Sequence, residues 1–352
     1  MRDNPVDSEQ GKRLCSTLLH EYGCGRLFMK PFVNILIVLL AGLFNTPAWS
    51  QQWAPIKPVR LIVPQVAGGG ADAIGRVIAQ GISEQIGQPV VVDNRAGANG
   101  GVGVEALLRS PADGYNLLLV FTSLMTLNPA VYTKLSYDTL KDLQPLGGIC
   151  EVPLVMLASP SIVANSATEL VAADKANPKT IFAASSGNGA FSHLMIEMMN
   201  TRTGTTFTHV PFKGEAPAIQ NLMANQGMMI YIGTPALAIA NKDTGKLKLL
   251  AVTTKQRMPQ LPEVKTLAEQ GYTDFNESFW YGVVAAQGTP APIVEAYNKV
   301  MGEVARATHV QSNLGRLGCG PLPMSSSEFS DRIKNDFIKY STIAKSVGMK
   351  VE

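Results

Sequence analysis

The chain has 352 residues, with 30 lysine or arginine and 27 aspartate or glutamate residues, so its formal net charge is +3. This near balance excludes the strongly basic surface that nucleic-acid binding requires, and we expect no nucleic-acid partner. The length is sufficient for two domains, each with its own core.

Residues 1–50 are interpreted as a leader that ends in a signal peptide. An apolar run over residues 32–44 follows a lysine, and small residues occupy the −3 and −1 positions for cleavage before Gln51. The run is short for a bilayer span, so a cleavable signal is favoured over a membrane anchor. Met29 is the predicted true start. We therefore expect export to the periplasm.

The rest of the chain alternates strand-like and helix-like segments. Strands are predicted, in chain order, at 59–63, 89–93, 116–121, 154–158, 180–184, 207–210, 228–232, 247–252 and 279–285. Helical patterns lie between them, and the chain from 291 to 348 is expected to be helical apart from a turn at 318–323. This alternation predicts an α/β fold in which each unit is a mainly parallel sheet flanked by helices.

The predicted elements fall into two blocks, which we interpret as two lobes. The chain is expected to cross between them near residues 151–154 and 274–279. These crossings assign residues 51–152 to the first part of lobe 1, 153–276 to lobe 2, and 277–352 to a return strand and C-terminal helices of lobe 1.

Two cysteines, Cys150 and Cys319, lie outside the leader. They lack the spacing of a metal site, and no other cluster of histidine, cysteine and acidic residues has it, so no metal or cofactor is expected. Sequence cannot give the distance between the two sulfurs. We favour two buried thiols over a disulfide.

A glycine run, Gly68–Gly70, follows the first strand and opens a helix. A phosphate-binding P-loop is excluded because no Lys-Ser/Thr pair follows. A dinucleotide fingerprint is disfavoured because four residues separate the strand from the first glycine. A tight turn that binds nothing remains an alternative. The favoured interpretation is an anion site formed by N–H groups at a helix N-terminus, with Asp72 as N-cap, where asparagine would serve about as well.

Three more donor-rich loops follow predicted strands. They are FTSLMTLNPA (121–130), SSGNGAFSH (185–193) and PFKGEAPA (211–218). Ligands of open α/β sheets bind at the carboxyl ends of strands, where these loops would meet. The set predicts a cleft for an oxygen-rich anion.

Several motifs, taken together, resemble the receptors of the tripartite tricarboxylate transporters, the Bug family. The segments that carry the resemblance are KPVRLIVP, GGGAD, QPVVVDNRAGANG, ADGYNLLL, NPAVY, ASSGNGAFSH, HVPFKGEAPA, LAVTT and FWYGVVAAQGTP. The resemblance implies a two-lobed periplasmic-binding-protein fold of type II, a Venus flytrap. It also implies a receptor that delivers a carboxylated solute to a two-component membrane permease. We expect this receptor to be a monomer and not an enzyme.

The resemblance further implies eleven ligand-binding residues. They are Gly69, Gly70, Asp72, Thr122, Ser123, Asn128, Ser185, Ser186, Asn188, His193 and Lys213. The chain departs from the family in PQVAGGG, where Gln65 and Val66 replace an aromatic and a small residue. It also lacks an acidic or amide residue in YIGTPALA (231–238). Both differences concern the identity of the ligand more than the fold.

The expected ligand is an organic acid with one or two carboxylates, aliphatic or aromatic. One alternative is a secreted α/β enzyme acting on an organic acid, although no G-x-S-x-G elbow is present. Another is a receptor that signals to a sensor kinase. Among the aromatic residues of the return strand, Phe279 is expected in the core, and the place of Trp280 is left open.

Overall fold

The computed structural model describes residues Trp53–Val351, which form one compact unit built on two sheets. The predicted leader and signal peptide lie outside the described residues. The strands of the first sheet are β1 (Val59–Val63), β2 (Val90–Asn94), β3 (Asn116–Phe121), β4 (Leu143–Pro153), β10 (Ser278–Ala286) and β11 (Gly320–Met324). Those of the second are β5 (Val155–Ala158), β6 (Phe182–Ser185), β7 (Thr208–Pro211), β8 (Met229–Gly233) and β9 (Lys248–Val252).

Ten α-helices in the described part of the chain connect and cover these strands. They are α1 (Gly70–Ile86), α2 (Gly101–Leu108), α3 (Asn128–Val131), α4 (Ala167–Ala176), α5 (Phe191–Thr203), α6 (Glu215–Met223), α7 (Ala236–Asn241), α8 (Ala291–Arg306), α9 (Thr308–Arg316) and α10 (Ser326–Ser346). Short 3-10 turns occupy Ala98–Gly100 and Ala268–Gln270, and a π-helical turn occupies Ser123–Leu127. None of the described helices is long and apolar enough to cross a membrane.

The α/β fold is confirmed, but the two sheets are mixed rather than mainly parallel. The first has the order β11-β4-β10-β3-β1-β2 and the second β7-β6-β8-β5-β9. Strand–helix–strand units make β1, β2 and β3 parallel, and likewise β6, β7 and β8. The other pairings are antiparallel because β4, β5, β9 and β10 lie where the chain leaves or re-enters a sheet. In each sheet, the loops that follow the parallel strands still lie at the same edge of that sheet.

The prediction missed β4, the longest strand, because prolines and a glycine pair interrupt LQPLGGICEVP. The pair is needed for close packing: a Cβ on Gly147 would lie 2.9 Å from the Cβ of Met301 and 3.0 Å from the carbonyl oxygen of Met324. The predicted turn at 318–323 contains β11, whose two prolines are tolerated because it is an edge strand. Tertiary packing rather than local sequence preference therefore determines that β4 and β11 are strands.

Cys150 and Cys319 form a disulfide, so the expectation of two free thiols was wrong. Cys150 lies on β4, and Cys319 immediately precedes β11, which pairs with β4. The pairing brings the two Cα atoms within 5.7 Å, although 169 positions separate them in sequence. A distance of this kind depends on sheet topology and cannot be read from spacing.

Alternation along the strands of the second sheet buries both of its faces. In β8, Ile230 and Ile232 pack into one core cluster and Met229 and Tyr231 into another, on the opposite face. The first sheet has a single large core that includes Trp280. Trp280 is fully buried and donates its indole N–H to Asp336, which settles its place as a core residue.

The second crossing between the sheets is held by the carboxylate of Glu277, which is 2% exposed. It accepts hydrogen bonds from Lys339 Nζ at 2.6 Å and from the Tyr340 hydroxyl at 2.9 Å, both on α10. Arg202 at the end of α5 lies 3.4 Å away. The carboxylate thus joins a helix of the second lobe to the C-terminal helix.

Candidate ligand-binding cleft

A cavity of about 450 Å³ lies between the two sheets, within the size range of small-molecule sites. It is lined by the loops that follow β1, β2, β3, β6, β7 and β8, together with residues of β10. These are the carboxyl ends of the parallel strands, where a ligand of an open α/β sheet binds. Both lobes therefore contribute to one cleft.

The first loop presents the N-terminus of α1 to the cavity. The helix has Gly69 as N-cap, and Gln65, Gly70 and Ala71 line the cleft. The first N–H groups of any helix have no acceptor within it, and the helix dipole favours an anion there. This end of the cleft is consequently suited to a carboxylate.

The prediction that Asp72 is the N-cap was wrong. Asp72 is instead a buried residue of the first turn of α1. Its oxygens accept from the Gly68 N–H at 2.9 Å, from Arg76 Nε at 3.0 Å and from Asn94 Nδ2 at 3.0 Å. Burial raises the pKa of Asp72, but these hydrogen bonds outweigh it and hold the pKa below its ordinary value. The carboxylate shapes the glycine loop and is not part of the cavity lining.

The loop after β3 places Ser123 in the lining, whereas two predicted neighbours are buried behind it. Thr122 accepts the Trp280 N–H at 2.8 Å and so fixes β3 to β10. Asn128 accepts from Asn99 Nδ2 at 2.6 Å and donates to the Asn99 carbonyl at 3.2 Å. Asn99 itself lines the cleft with a positive φ of 46°, so Asn128 acts by holding it.

The loop after β6 is the largest single contribution to the lining, with Ser186–Ser192. Buried Ser185 shapes it by accepting the Gly187 N–H at 3.1 Å and contacting His209 Nε2 at 2.6 Å. The loop leads into the N-terminus of α5, whose N-cap Ala190 and first residues line the cleft, as Gly70 and Ala71 of α1 do. Gly189 requires glycine, because its φ is +71° and a Cβ would collide with Val351.

His193 lies behind this loop rather than in the lining. Its Nδ1 accepts the Gly189 N–H at 3.3 Å, its Nε2 is 3.6 Å from Glu197, and its ring stacks on His209 at 3.7 Å. Burial, and then the neighbouring His193, lower the pKa of His209 to about 4. His209 is therefore neutral at pH 7, and the pair supports the loop from below.

Aromatic side chains form one wall of the cavity. Phe279 on β10 stacks on Phe121 at 5.6 Å and meets Phe191 edge-on at 5.5 Å. It also packs against Tyr281, and all four side chains line the cleft. Phe279 is therefore a partly buried wall residue that packs against the cores of both lobes. The wall is suited to the carbon skeleton of a ligand.

Glu215 is the one charged side chain among the described residues that line the cavity, and sequence reasoning did not single it out. Its carboxylate accepts from the Thr234 N–H at 3.0 Å and contacts the Thr234 hydroxyl. Burial raises the pKa of Glu215, although the hydrogen bonds from Thr234 oppose the rise. Lys213, two residues earlier, is exposed and outside the lining.

Four of the eleven predicted residues thus line the cleft, namely Gly70, Ser123, Ser186 and Asn188. The structure places the other seven outside the lining: Gly69, Asp72, Thr122, Asn128, Ser185, His193 and Lys213. Most of these seven hold a lining loop, because their polar atoms bond to its backbone. Within residues 53–351, no cluster of three or more histidine, cysteine or acidic residues could hold a metal ion.

These two sheets with a cleft between them define a two-lobed periplasmic-binding-protein fold. The chain matches the tripartite tricarboxylate transporter family receptor over residues 74–349, and it belongs to this family. It is 31% identical over 299 residues to protein BugT of Bordetella pertussis. The aligned residues cover 85% of this chain and 91% of BugT. The family resemblance seen in the sequence is confirmed.

Solved structures of similar proteins give the same result. The structure of R. palustris Rpa4515 with adipate has 29% identity and a TM-score of 0.75, covering 84% of this chain and 99% of that one. MatC from Rhodopseudomonas palustris with bound malate has 25% identity and a TM-score of 0.71, covering 82% and 99%. The family is one of receptors, and these two similar proteins each hold a carboxylate in their solved structures.

Proposed function

We propose that the protein is a periplasmic receptor that binds a carboxylate-containing small molecule between its lobes. The observation that carries the proposal is the lining of the cleft. The N-termini of α1 and α5 open into it, and its side chains are rich in hydroxyl and amide groups. The bound adipate of Rpa4515 and malate of MatC support the same ligand class.

The anion is proposed to be held without a cationic side chain. No lysine, arginine or histidine is among the described residues that line the cavity. Each helix N-terminus stabilises an anion by about 0.3–1 kcal/mol when exposed and up to about 2 kcal/mol when partly buried. Two such termini, with hydrogen bonds from Ser123, Asn99 and Asn188, can replace an arginine. The same donors orient the carboxylate.

A thermal-shift screen tests the ligand class. Each candidate acid, aliphatic or aromatic, is compared with its neutral methyl ester, which keeps the carbon skeleton and removes the charge. We expect the acids to raise the melting temperature and the esters to leave it unchanged. Stabilisation by sugars or esters alone would contradict the proposal. Recovery of the acid chemically unchanged after incubation separates a receptor from an enzyme acting on the same acid.

The receptor is further proposed to act as a monomer that closes on its ligand, because donors from both lobes surround the anion only when they approach. The lobes are those divided near residues 152 and 277. Small-angle scattering measures mass and radius of gyration together. We expect a monomer mass and a smaller radius with saturating acid. An unchanged profile would indicate a rigid cleft.

Delivery to a two-component membrane permease and export through a cleavable signal complete the proposal. Family membership supports both. Expression with residues 1–50 should give a periplasmic protein whose sequenced N-terminus is Gln51. Uptake of a labelled acid into cells carrying the permease should depend on this receptor. Uptake that persists without the receptor would contradict the delivery step.

A further inference from the structure

Glu215 occupies an unusual place in the cleft. It is the first residue of α6, and a carboxylate there commonly accepts N–H groups of its own helix. Its oxygens instead contact Thr234, in the loop after β8: Oε1 accepts the Thr234 N–H at 3.0 Å, and both oxygens lie within 2.9 Å of the Thr234 hydroxyl. A hydroxyl has one proton, so it satisfies only one of the two oxygens. The carboxylate keeps unused capacity to accept.

The negative charge of Glu215 has no cationic partner in the described chain, residues 53–351. No lysine, arginine or histidine nitrogen lies within ion-pair distance of it. The titratable groups that face it are the hydroxyls of Tyr231 and Tyr281, and burial followed by the Glu215 charge raises the pKa of each. A partly buried charge without a partner is unfavourable.

The contact with Thr234 does not itself require a charge. A glutamine at this position could accept the Thr234 N–H through its carbonyl and donate its amide to the Thr234 hydroxyl. The link between α6 and the loop after β8 would then survive. The fold therefore does not require the second carboxylate oxygen or the negative charge of Glu215. The cavity is the space that this side chain lines.

We propose that Glu215 is a specificity-determining residue that accepts a hydrogen bond from the ligand. The ligand is then an acid with a second group that donates, with a protonated amine as the best match and a hydroxyl next. This inference rests on the proposed function, because it assumes that the carboxylate of the same ligand lies at the helix N-termini. A simple dicarboxylate would set its second carboxylate against that of Glu215, and like charges repel strongly away from water.

The test uses calorimetry with three matched series of acids of three to six carbons. In each, one end is a carboxylate and the other is a carboxylate, a hydroxyl or an amine. We expect the wild-type protein to bind the best amino acid of the series at least tenfold more tightly than the best dicarboxylate. Glu215→Gln should lose at least tenfold for the amino acid and gain affinity for the dicarboxylate. Glu263→Gln is the control, because that exposed carboxylate of the same lobe is outside this cavity.

The outcomes separate this inference from the proposed function. Dicarboxylates that bind best to both the wild type and Glu215→Gln would overturn the inference and leave the receptor function intact. If none of the three series binds, this inference fails, and the thermal-shift screen of aliphatic and aromatic acids decides the proposed function separately. An unchanged melting temperature of the unliganded Glu215→Gln protein shows that folding is not the cause.

Discussion

Replacement of Asp72 by asparagine tests how the first loop is built. All three partners of the carboxylate are donors: the Gly68 N–H, Asn94 Nδ2 and Arg76 Nε. An asparagine must turn an NH₂ group toward at least one of them. Asn94 cannot flip to compensate, because its Nδ2 also donates to the Gln65 carbonyl at 3.1 Å. The expectation that asparagine serves as well as aspartate, which assumed an N-cap, is therefore revised.

The magnitude follows from the exposure of the partners. Hydrogen bonds to a charged group are worth about 1.5–3 kcal/mol, and Asp72 is 4% exposed. The Arg76 side chain is 57% exposed, so its ion pair contributes only about 0.3–0.5 kcal/mol. We expect Asp72→Asn to lower the free energy of unfolding by about 1.5–3 kcal/mol and Arg76→Gln by less than about 0.5 kcal/mol. Affinity for acids should fall with the former.

Urea denaturation at pH 7 and in acid provides the assay. The folded pKa of Asp72 lies below its ordinary value of 3.8, so its contribution is complete above 3.8 and is lost as the pH falls through the folded value. The gap between wild type and Asp72→Asn should thus narrow in acid. A variant as stable as wild type at pH 7, or a stability difference independent of pH, would show that the Asp72 carboxylate does not stabilise the loop.

Three further predictions concern other parts of the molecule. Replacing both Cys150 and Cys319 by alanine should lower the free energy of unfolding by about 4–5 kcal/mol, because the loop they close is long; a denaturation midpoint insensitive to reductant would contradict this. The wild type should lose stability between pH 6.5 and about 4, as His209 stays neutral when folded but gains a proton when unfolded, and His209→Gln should flatten this dependence; an equal slope in both proteins would refute it. Asn128→Ala should weaken acid binding by about tenfold, roughly 1.4 kcal/mol, by releasing Asn99; unchanged affinity in calorimetry would show that Asn99 needs no support.

The sequence predicted the elements whose pattern is local. The parallel strands and the amphipathic helices after them follow from side-chain periodicity, so β1 and β3 were placed to the residue. The strand β4 was not found, because Gly147 is required by contacts with Met301 and β11 rather than by local preference. Pairings that depend on topology, such as Cys150 with Cys319, have no local signal.

The cleft shows the same division. The loops of the cleft could be predicted, because segments rich in glycine and hydroxyl groups directly follow the predicted strands in the sequence. Which side chain lines the cavity depends on tertiary contacts. The predicted ligand-binding residue Asn128 is buried, whereas Asn99, to which it is hydrogen-bonded, lines the cavity. The sequence signal for Glu215 is an acidic residue directly after a glycine, in the predicted loop PFKGEAPA at a strand end. That Glu215 lines the cavity follows only from the three-dimensional fold.

The crystal structure of the protein with the tightest-binding acid tests the central claim most directly. We expect a ligand between the two sheets, with its carboxylate oxygens within hydrogen-bond distance of backbone N–H groups at the N-terminus of α1 or α5. No lysine or arginine should contact that carboxylate. A carboxylate bound by a basic side chain, or an acid bound outside the cleft, would contradict a site built on helix N-termini.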